Sequence, residues 1–254
     1  MLKIALQLYS VRDYCSKDLK RTLEEVASIG YEGVEFAGFY GYWAEELRDI
    51  LKSLGLKVAG AHIGLSELSD EKISSTIAYQ KTIGNENVVV PSLPKDFTSS
   101  KEGWLKAAEL FNSLLDKLKK EGLKLGYHNH RLEFETRFNG ITAWELFFKN
   151  TSQDVFIQLD IGHAIAAGNT TEELIRFIDE FPGRVKSVHV KDYSKVKGYN
   201  VFIGEGDIRW NQLLNALKGV EWFIIEQEEY KGLTSIEAVR EDFKNFKKFL
   251  ERLV

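Results

Sequence analysis

One pattern recurs along this 254-residue chain: an amphipathic stretch, a glycine, then a short aliphatic or β-branched run. It reads SIGYEGVEFAG, SLGLKVAGAHIG, TIGNENVVVPS, KEGLKLGYHNH, FPGRVKSVHVKD and LKGVEWFIIEQE, pivoting on Gly30, Gly55, Gly84, Gly122, Gly183 and Gly219. A glycine just past a helix accepts the left-handed conformation that stops it, so each pivot marks a helix end and a strand start. Consecutive pivots lie 25 to 38 residues apart, except across one double-length gap into which SQDVFIQLDIG fits. Each interval has room for one strand and one crossover helix. The strands read KIALQLY, GVEFA, KVAGAH, NVVVP, LKLGYHN, VFIQLD, VKSVHV and WFIIE. Near-continuous aliphatic strands alternating with helices predict a parallel sheet covered on its outer face. Eight such units predict an α/β fold, a closed (β/α)8 TIM barrel, as a single domain over residues 1–254. The rival open sheet is disfavoured because the first βα turn, QLYSVRDYC, lacks the glycine-rich phosphate loop of dinucleotide folds.

Several helix starts are signed by capping boxes, in which a Thr caps backbone amides and a Glu three residues on reaches back. Thr142 with Glu145, Thr170 with Glu173, and Thr234 with Glu237 fit. The last helix carries Ile236, Val239, Phe243, Phe246, Leu250 and Leu253 on one stripe, the spacing of a helix packed on a core. Trp43, Trp104 and Trp144 are expected to be helix-packing aromatics. An apolar fraction of 44% supplies an ample core, and a net charge of −4 argues against nucleic acid as a partner. The single cysteine, Cys15, precludes an intrachain disulfide and suits a reducing cytoplasm. The opening MLKIALQLYS meets Arg12 and Asp13 too soon for a signal peptide, and no apolar run approaches the roughly 20 residues that span a bilayer.

Polar chemistry collects at the strand ends. In a (β/α)8 barrel the catalytic groups come from the C-terminal ends of the strands and the loops after them. Here strand two ends at Glu35, strand three at His62, strand five at His128 and His130, strand six at Asp160, strand seven at His189 and strand eight at Glu226. Alternation places His128 with His130, and His189 with Lys191, on one face, aimed at the barrel axis. His163 follows Asp160 by three residues. A divalent cation is the simplest device that stabilises such a cluster, since buried unpaired carboxylates are costly. A mixed imidazole and carboxylate set suits Mn, Zn, Co or Fe, whereas an all-oxygen set would suit Mg or Ca. Each residue also has a plain structural reading. Asp160 could cap the following helix, His189 could be a core histidine, and Glu35 could fill the barrel beside a basic neighbour. Glu133, Glu135 and Glu228 read as loop decoration.

The segments QLYSVR, GYEGVEFAG, YHNHRLEFE, LDIGHA, HVKDY, GEGDIRW and IIEQE, in this order, resemble the sugar phosphate isomerase/epimerase family. These xylose isomerase-like barrels include inosose dehydratases and ketose 3-epimerases. The resemblance implies a divalent metal, Mn first, with Zn, Co, Fe or Mg as other choices. An acidic residue after strand five, an Asp after strand six, a His after strand seven and a Glu after strand eight hold it. Asp160, His189 and Glu226 match the last three positions, and His128 stands where relatives carry the Glu. The family's epimerases use two facing glutamates, so this departure bears on the reaction.

The resulting expectation is a metal-dependent isomerase or epimerase of a sugar or cyclitol, abstracting a proton α to a carbonyl. A lyase or hydratase acting on inososes or 3-keto-glycosides, and a non-catalytic sugar-binding barrel, are the alternatives. Glu226 and His130 are the catalytic candidates. Glu35, His62, His163 and Lys191 are expected to orient substrate, and His128, Asp160, His189 and Glu226 to bind metal. Specificity is expected in loops 36–43, 64–69, 131–140 and 193–209. A homo-oligomer is implied by likeness alone. An AP-site endonuclease shares the barrel but needs a basic face that this chain lacks.

Overall fold

The protein is described here from a computed structural model covering residues 3–251. The strands are β1 (Lys3–Gln7), β2 (Gly33–Phe36), β3 (Lys57–His62), β4 (Asn87–Val90), β5 (Lys124–His128), β6 (Phe156–Asp160), β7 (Val185–Val190) and β8 (Trp222–Ile225). All pair in parallel in chain order, and β1 joins β8 to close the barrel. Each expected strand forms, with ends within two residues of those read from the sequence. The major helices are α1 (Leu19–Ile29), α2 (Ala44–Leu54), α3 (Ile73–Thr82), α4 (Lys101–Lys120), α5 (Ala143–Asn150), α6 (Thr171–Glu180), α7 (Trp210–Ala216) and α8 (Ser235–Glu251). No helix among the described residues is long and apolar enough to cross a membrane.

The six pivot glycines all have positive φ, from 69° at Gly55 to 111° at Gly30, as helix termination requires. The three capping boxes form, with Glu145, Glu173 and Glu237 each accepting from the backbone N–H of its Thr partner. On α8, Ile236, Val239 and Phe246 are buried and Phe243 and Leu250 pack against the core, whereas Leu253 lies outside the described residues. Trp104 and Trp144 are buried as expected. Trp43 is not: it is 79% exposed at the start of α2, so its expected packing role is corrected.

Alternation along the strands separates two cores. Outward residues such as Leu125, Tyr127, Ile157, Leu159, Val188, Val190, Phe223 and Ile225 join the large cluster beneath the helices. A small cluster of Ala5, Ala59, Trp222 and Ile224 stands apart from it, on the inner face. Trp222, Ile224 and Glu226 therefore run up one face, from an apolar floor to a polar mouth. The same step of two relates Gln158 to Asp160, and Ser187 to His189 and Lys191. Parallel pairing sets His189 beside Asp160, and His128 beside Gln158. The ladder shifts register at two points, Val34/Glu35 and Ile157/Gln158. Such irregularities re-aim side chains. Here they sit at two buried polar residues that meet across the lumen, Gln158 Nε2 donating to Glu35 Oε1 at 2.7 Å.

Candidate active site

Above the apolar floor lies a layer of hydrogen bonds that orients the histidines. Glu35 is fully buried, and its carboxylate accepts from Gln7 Nε2 (2.8 Å), Gln158 Nε2 (2.7 Å) and His189 Nε2 (2.6 Å). His62 Nε2 lies 3.3 Å from the same carboxylate. Burial opposes ionisation of Glu35, but His62 and His189 outweigh it and lower its pKa. Glu35 was expected to orient substrate; its oxygens are engaged by side chains of four residues, Gln7, Gln158, His189 and His62. Gln158 also donates to Ser187 Oγ at 3.1 Å, so its Oε1 is the acceptor facing His62 Nε2 (2.8 Å) and His128 Nδ1 (3.1 Å). His128 thus carries its proton on Nδ1, and its Nε2 lone pair points up, 4.0 Å from Asp160 Oδ2. Burial, reinforced by repulsion from His189 and His62, holds the His128 pKa well below the ordinary value, so the ring is neutral. His62 is lowered as well, chiefly by burial. The two rings flank His189, with His62 stacked on it at 5.4 Å and 7°.

The next layer is the cluster itself. One ligand atom from each of His128, Asp160, His189 and Glu226 lies within 4.8 Å of the others, and all four residues are buried. His62, His128 and His189 form a second such group. His189 turns Nδ1 toward Glu226 Oε2 (3.1 Å) and Asp160 Oδ2 (3.8 Å). Burial works against a charge on this ring, yet Glu35 and Glu226 lift its pKa to about 10. Asp160 divides its two oxygens. Oδ1 accepts from the His163 N–H at 2.6 Å and caps the short helix Ile161–Ala166. Oδ2 is buried without a hydrogen-bond partner, and the nearest charge is the Lys191 ammonium at 3.5 Å. Asp160 therefore caps the helix with one oxygen and turns the other toward the cluster.

Over the cluster opens a cavity of about 430 Å³, lined by Tyr9, His62, His128, His130, His163, Glu226 and Glu228 among others. The structure thereby brings five of the sequence candidates to the cavity wall, His62, His128, His130, His163 and Glu226, with Asp160, His189 and Lys191 buried behind them. The His130 ring stands between those of His128 and His163, 4.9 Å from each. His163 is bracketed by Tyr199 OH on Nδ1 (2.7 Å) and the Lys191 ammonium on Nε2 (3.3 Å). An ammonium only donates, so Nε2 accepts and the proton sits on Nδ1. Lys191 is 1% exposed and bonds Glu226 Oε2 at 2.8 Å and Glu228 Oε1. Burial opposes ionisation of Glu226, and Lys191 and His189 outweigh it, holding the carboxyl well below its usual range.

Two residues dismissed as loop decoration belong to this region. Glu228 lines the cavity, and buried Glu133 accepts from Tyr127 OH (2.5 Å) and the His130 N–H (2.8 Å), fixing the loop that presents His130. Glu135 is exposed and pairs with Arg131, as a surface residue does. Gln158 carried no expectation, and Tyr199 carried only the general one of its loop, 193–209. Alternation was the available signal for Gln158 and Glu228, each two residues from a site carboxylate. Tyr199 had none, because the 193–209 loop folds back from distant sequence.

The profile of the family described as "Xylose isomerase-like TIM barrel" matches residues 23–249. An inosose dehydratase of Histophilus somni is 27% identical over 203 residues, a match covering 76% of this chain and 61% of that protein's length. The crystal structure of a sugar phosphate isomerase/epimerase from Parabacteroides distasonis superposes with a TM-score of 0.77, at 24% identity, over 95% of this chain and 92% of the other. The IOLI protein with a binding zinc atom superposes with a TM-score of 0.75, at 18% identity, over 99% of both chains. At these identities the structural neighbours speak to the fold, and the profile match to descent. This chain belongs to the xylose isomerase-like TIM barrel family.

Proposed function

We propose that this chain, as one domain over residues 1–254, is a divalent-metal-dependent isomerase or epimerase of a small sugar or cyclitol. The observation that carries the reading is Asp160 Oδ2. It is a buried carboxylate oxygen without a hydrogen-bond partner, set among His128, His189 and Glu226 at the floor of a polar cavity. A buried acceptor without a hydrogen bond is costly; the Lys191 ammonium at 3.5 Å offsets part of that cost, and a divalent cation in direct contact would remove the rest. The donor set fits: His128 offers the lone pair of Nε2 while Gln158 holds its Nδ1–H, and His189 would offer Nδ1 once the ion displaces the proton it shares with Glu226, while Glu35 holds its Nε2–H. Carboxylates or amides on the far nitrogen are what orient metal-binding imidazoles. His128, Asp160, His189 and Glu226 would hold the ion. Two nitrogens and two carboxylates suit Mn, Zn, Co or Fe; Mn is put first on the likeness to the family, with Mg as a further alternative. Bound there, the ion supplies Lewis acidity that polarises a substrate carbonyl.

The proton is moved by groups facing the cavity. Of the two candidates, Glu226 is the weaker base, because Lys191 and His189 hold it firmly ionised. His130 presents an imidazole to the cavity without joining the ligand cluster, and imidazole is the side chain that most often serves as general base. His130 therefore takes the proton α to the carbonyl; delivered to the neighbouring carbon it yields the isomer, whereas epimerisation needs a proton delivered to the opposite face of the same carbon by a second group. His62, His163, Tyr199 and Glu228 position hydroxyls. A second reading, dehydration of an inosose, is favoured by the likeness to the Histophilus somni protein. There the same proton abstraction ends in loss of a hydroxyl as water. One experiment tests both: NMR in deuterated water with a panel of keto-sugars and inososes, on metal-loaded and chelator-treated protein. The expected result is metal-dependent exchange of one C–H α to the carbonyl, with product identity separating epimerisation from water loss. Full activity in protein stripped of metal would sink the proposal.

A further inference from the structure

Lys191 was expected to orient substrate hydroxyls, yet its ammonium is committed elsewhere. It lies 2.8 Å from Glu226 Oε2 and 3.5 Å from Asp160 Oδ2, and it bonds Glu228 Oε1. Its position is fixed by packing. A Cβ added to Gly162 would meet Lys191 Cγ at 2.6 Å and its carbonyl oxygen at 2.8 Å, so the helix after β6 lies directly on the lysine stem. Two of its three carboxylate partners, Asp160 and Glu226, belong to the candidate ligand cluster. The third, Glu228, stands outside that cluster at the rim of the cavity, with its side chain 35% exposed.

We infer that Lys191 is a tethered counter-ion that competes with the divalent ion for Asp160 and Glu226, and so sets how tightly the site holds metal. The inference rests on the proposal that the site binds metal. A fixed positive charge within contact of two ligating carboxylates stabilises them while metal is absent. It repels the ion once metal is present, and burial leaves little water to screen either effect. Glu228 moderates the competition by drawing the ammonium toward the cavity. The site thereby stays assembled without metal and keeps the metal exchangeable, and both properties come from one side chain.

The test compares wild type, Lys191→Met and Lys191→Arg after chelator treatment, by titration calorimetry with MnCl2 and ZnCl2 at fixed pH and by thermal melting. Methionine keeps the stem and removes the charge. Lys191→Met is expected to bind both ions at least tenfold more tightly and to melt several degrees lower without metal. Lys191→Arg, which keeps the charge, stays within about threefold of wild type in affinity. Unchanged or weaker binding by Lys191→Met overturns the inference alone, and a wild type that binds neither ion overturns the functional proposal with it. Should Lys191→Met fail to fold, the same comparison is made between Glu228→Gln and the double variant Lys191→Met/Glu228→Gln, which loses one charge of each sign. Tenfold tighter binding by the double variant supports the competition, and equal binding refutes it.

Discussion

Single residues here carry two functions on separate atoms, which lets substitutions divide them. Asp160 caps a helix with Oδ1 and aims Oδ2 at the candidate metal position. Asparagine caps as well as aspartate but carries no charge, whereas alanine loses the cap at a cost of about 1 kcal/mol. Asp160→Asn is therefore expected to lose bound metal, measured by elemental analysis after dialysis, while melting above Asp160→Ala. Near-equal melting of the two variants would show that the cap contributes nothing. At His130, replacement by Gln should lower kcat by about 10²–10⁴-fold, the range for loss of a general base, with metal content unchanged. Metal loss in that variant would move His130 into the ligand set. Asp242, on α8, supplies a pH dependence. Burial raises its carboxyl from 3.8 to about 7, against hydrogen bonds from the Ile203 N–H and Gln227 Nε2. The folded state thus holds the proton more tightly than the unfolded chain. The associated stability is full below about pH 4 and is lost as pH rises through 7. Urea midpoints from pH 5 to 8 should fall for wild type relative to Asp242→Asn, and parallel curves would contradict the assignment.

At the scale of elements, local signals and tertiary demands act on different positions. The capping boxes were legible because both halves of each bond lie within four residues. Gly126 on β5 shows the other case. It looks like an unremarkable strand glycine, yet a Cβ there would meet the Phe156 ring of β6 at 2.4 Å. Both atoms of that clash belong to the packed interior, so Gly126→Ala is expected to destabilise by about 1–3 kcal/mol, the range for overpacking. A chemical denaturation midpoint equal to that of wild type would show that Phe156 swings aside freely. The register shifts at Glu35 and Gln158 belong here too. They turn two strands so that a carboxylate and an amide meet beneath the histidines, and no local pattern marks them.

For the whole molecule, the barrel gathers the ends of β3, β5, β6, β7 and β8 into one cluster whose carboxylate and imidazole groups are mutually stabilised only in part. A ligand that completes the cluster binds the folded state alone, and so raises stability by RT ln(1 + [L]/Kd). At a concentration one hundred times Kd, Mn²⁺ is expected to add about 2.7 kcal/mol. For a chain of this length that corresponds to a rise in Tm of roughly 5–10 °C. Melting curves that ignore Mn²⁺, Zn²⁺ and Co²⁺ alike would remove the metal from the account.

The sequence by itself determined the architecture, because eight aliphatic strands, six glycine helix stops and three capping boxes are all short-range signals. It also placed His128, Asp160, His189 and Glu226 at strand ends, where the barrel geometry makes them converge. What only the tertiary structure decided is which atoms of those residues are free. Glu35 was legible as a strand-end carboxylate, yet the inward packing of Gln7, Gln158, His62 and His189 from four other strands turns it into a support beneath the site. Lys191 was legible as a site lysine, but its commitment to Asp160, Glu226 and Glu228 depends on three chain segments meeting. Hydrogen-bond partnership is a property of atoms brought within about 3 Å across the barrel. Periodicity along one strand reports which face a side chain takes, and not what waits for it there.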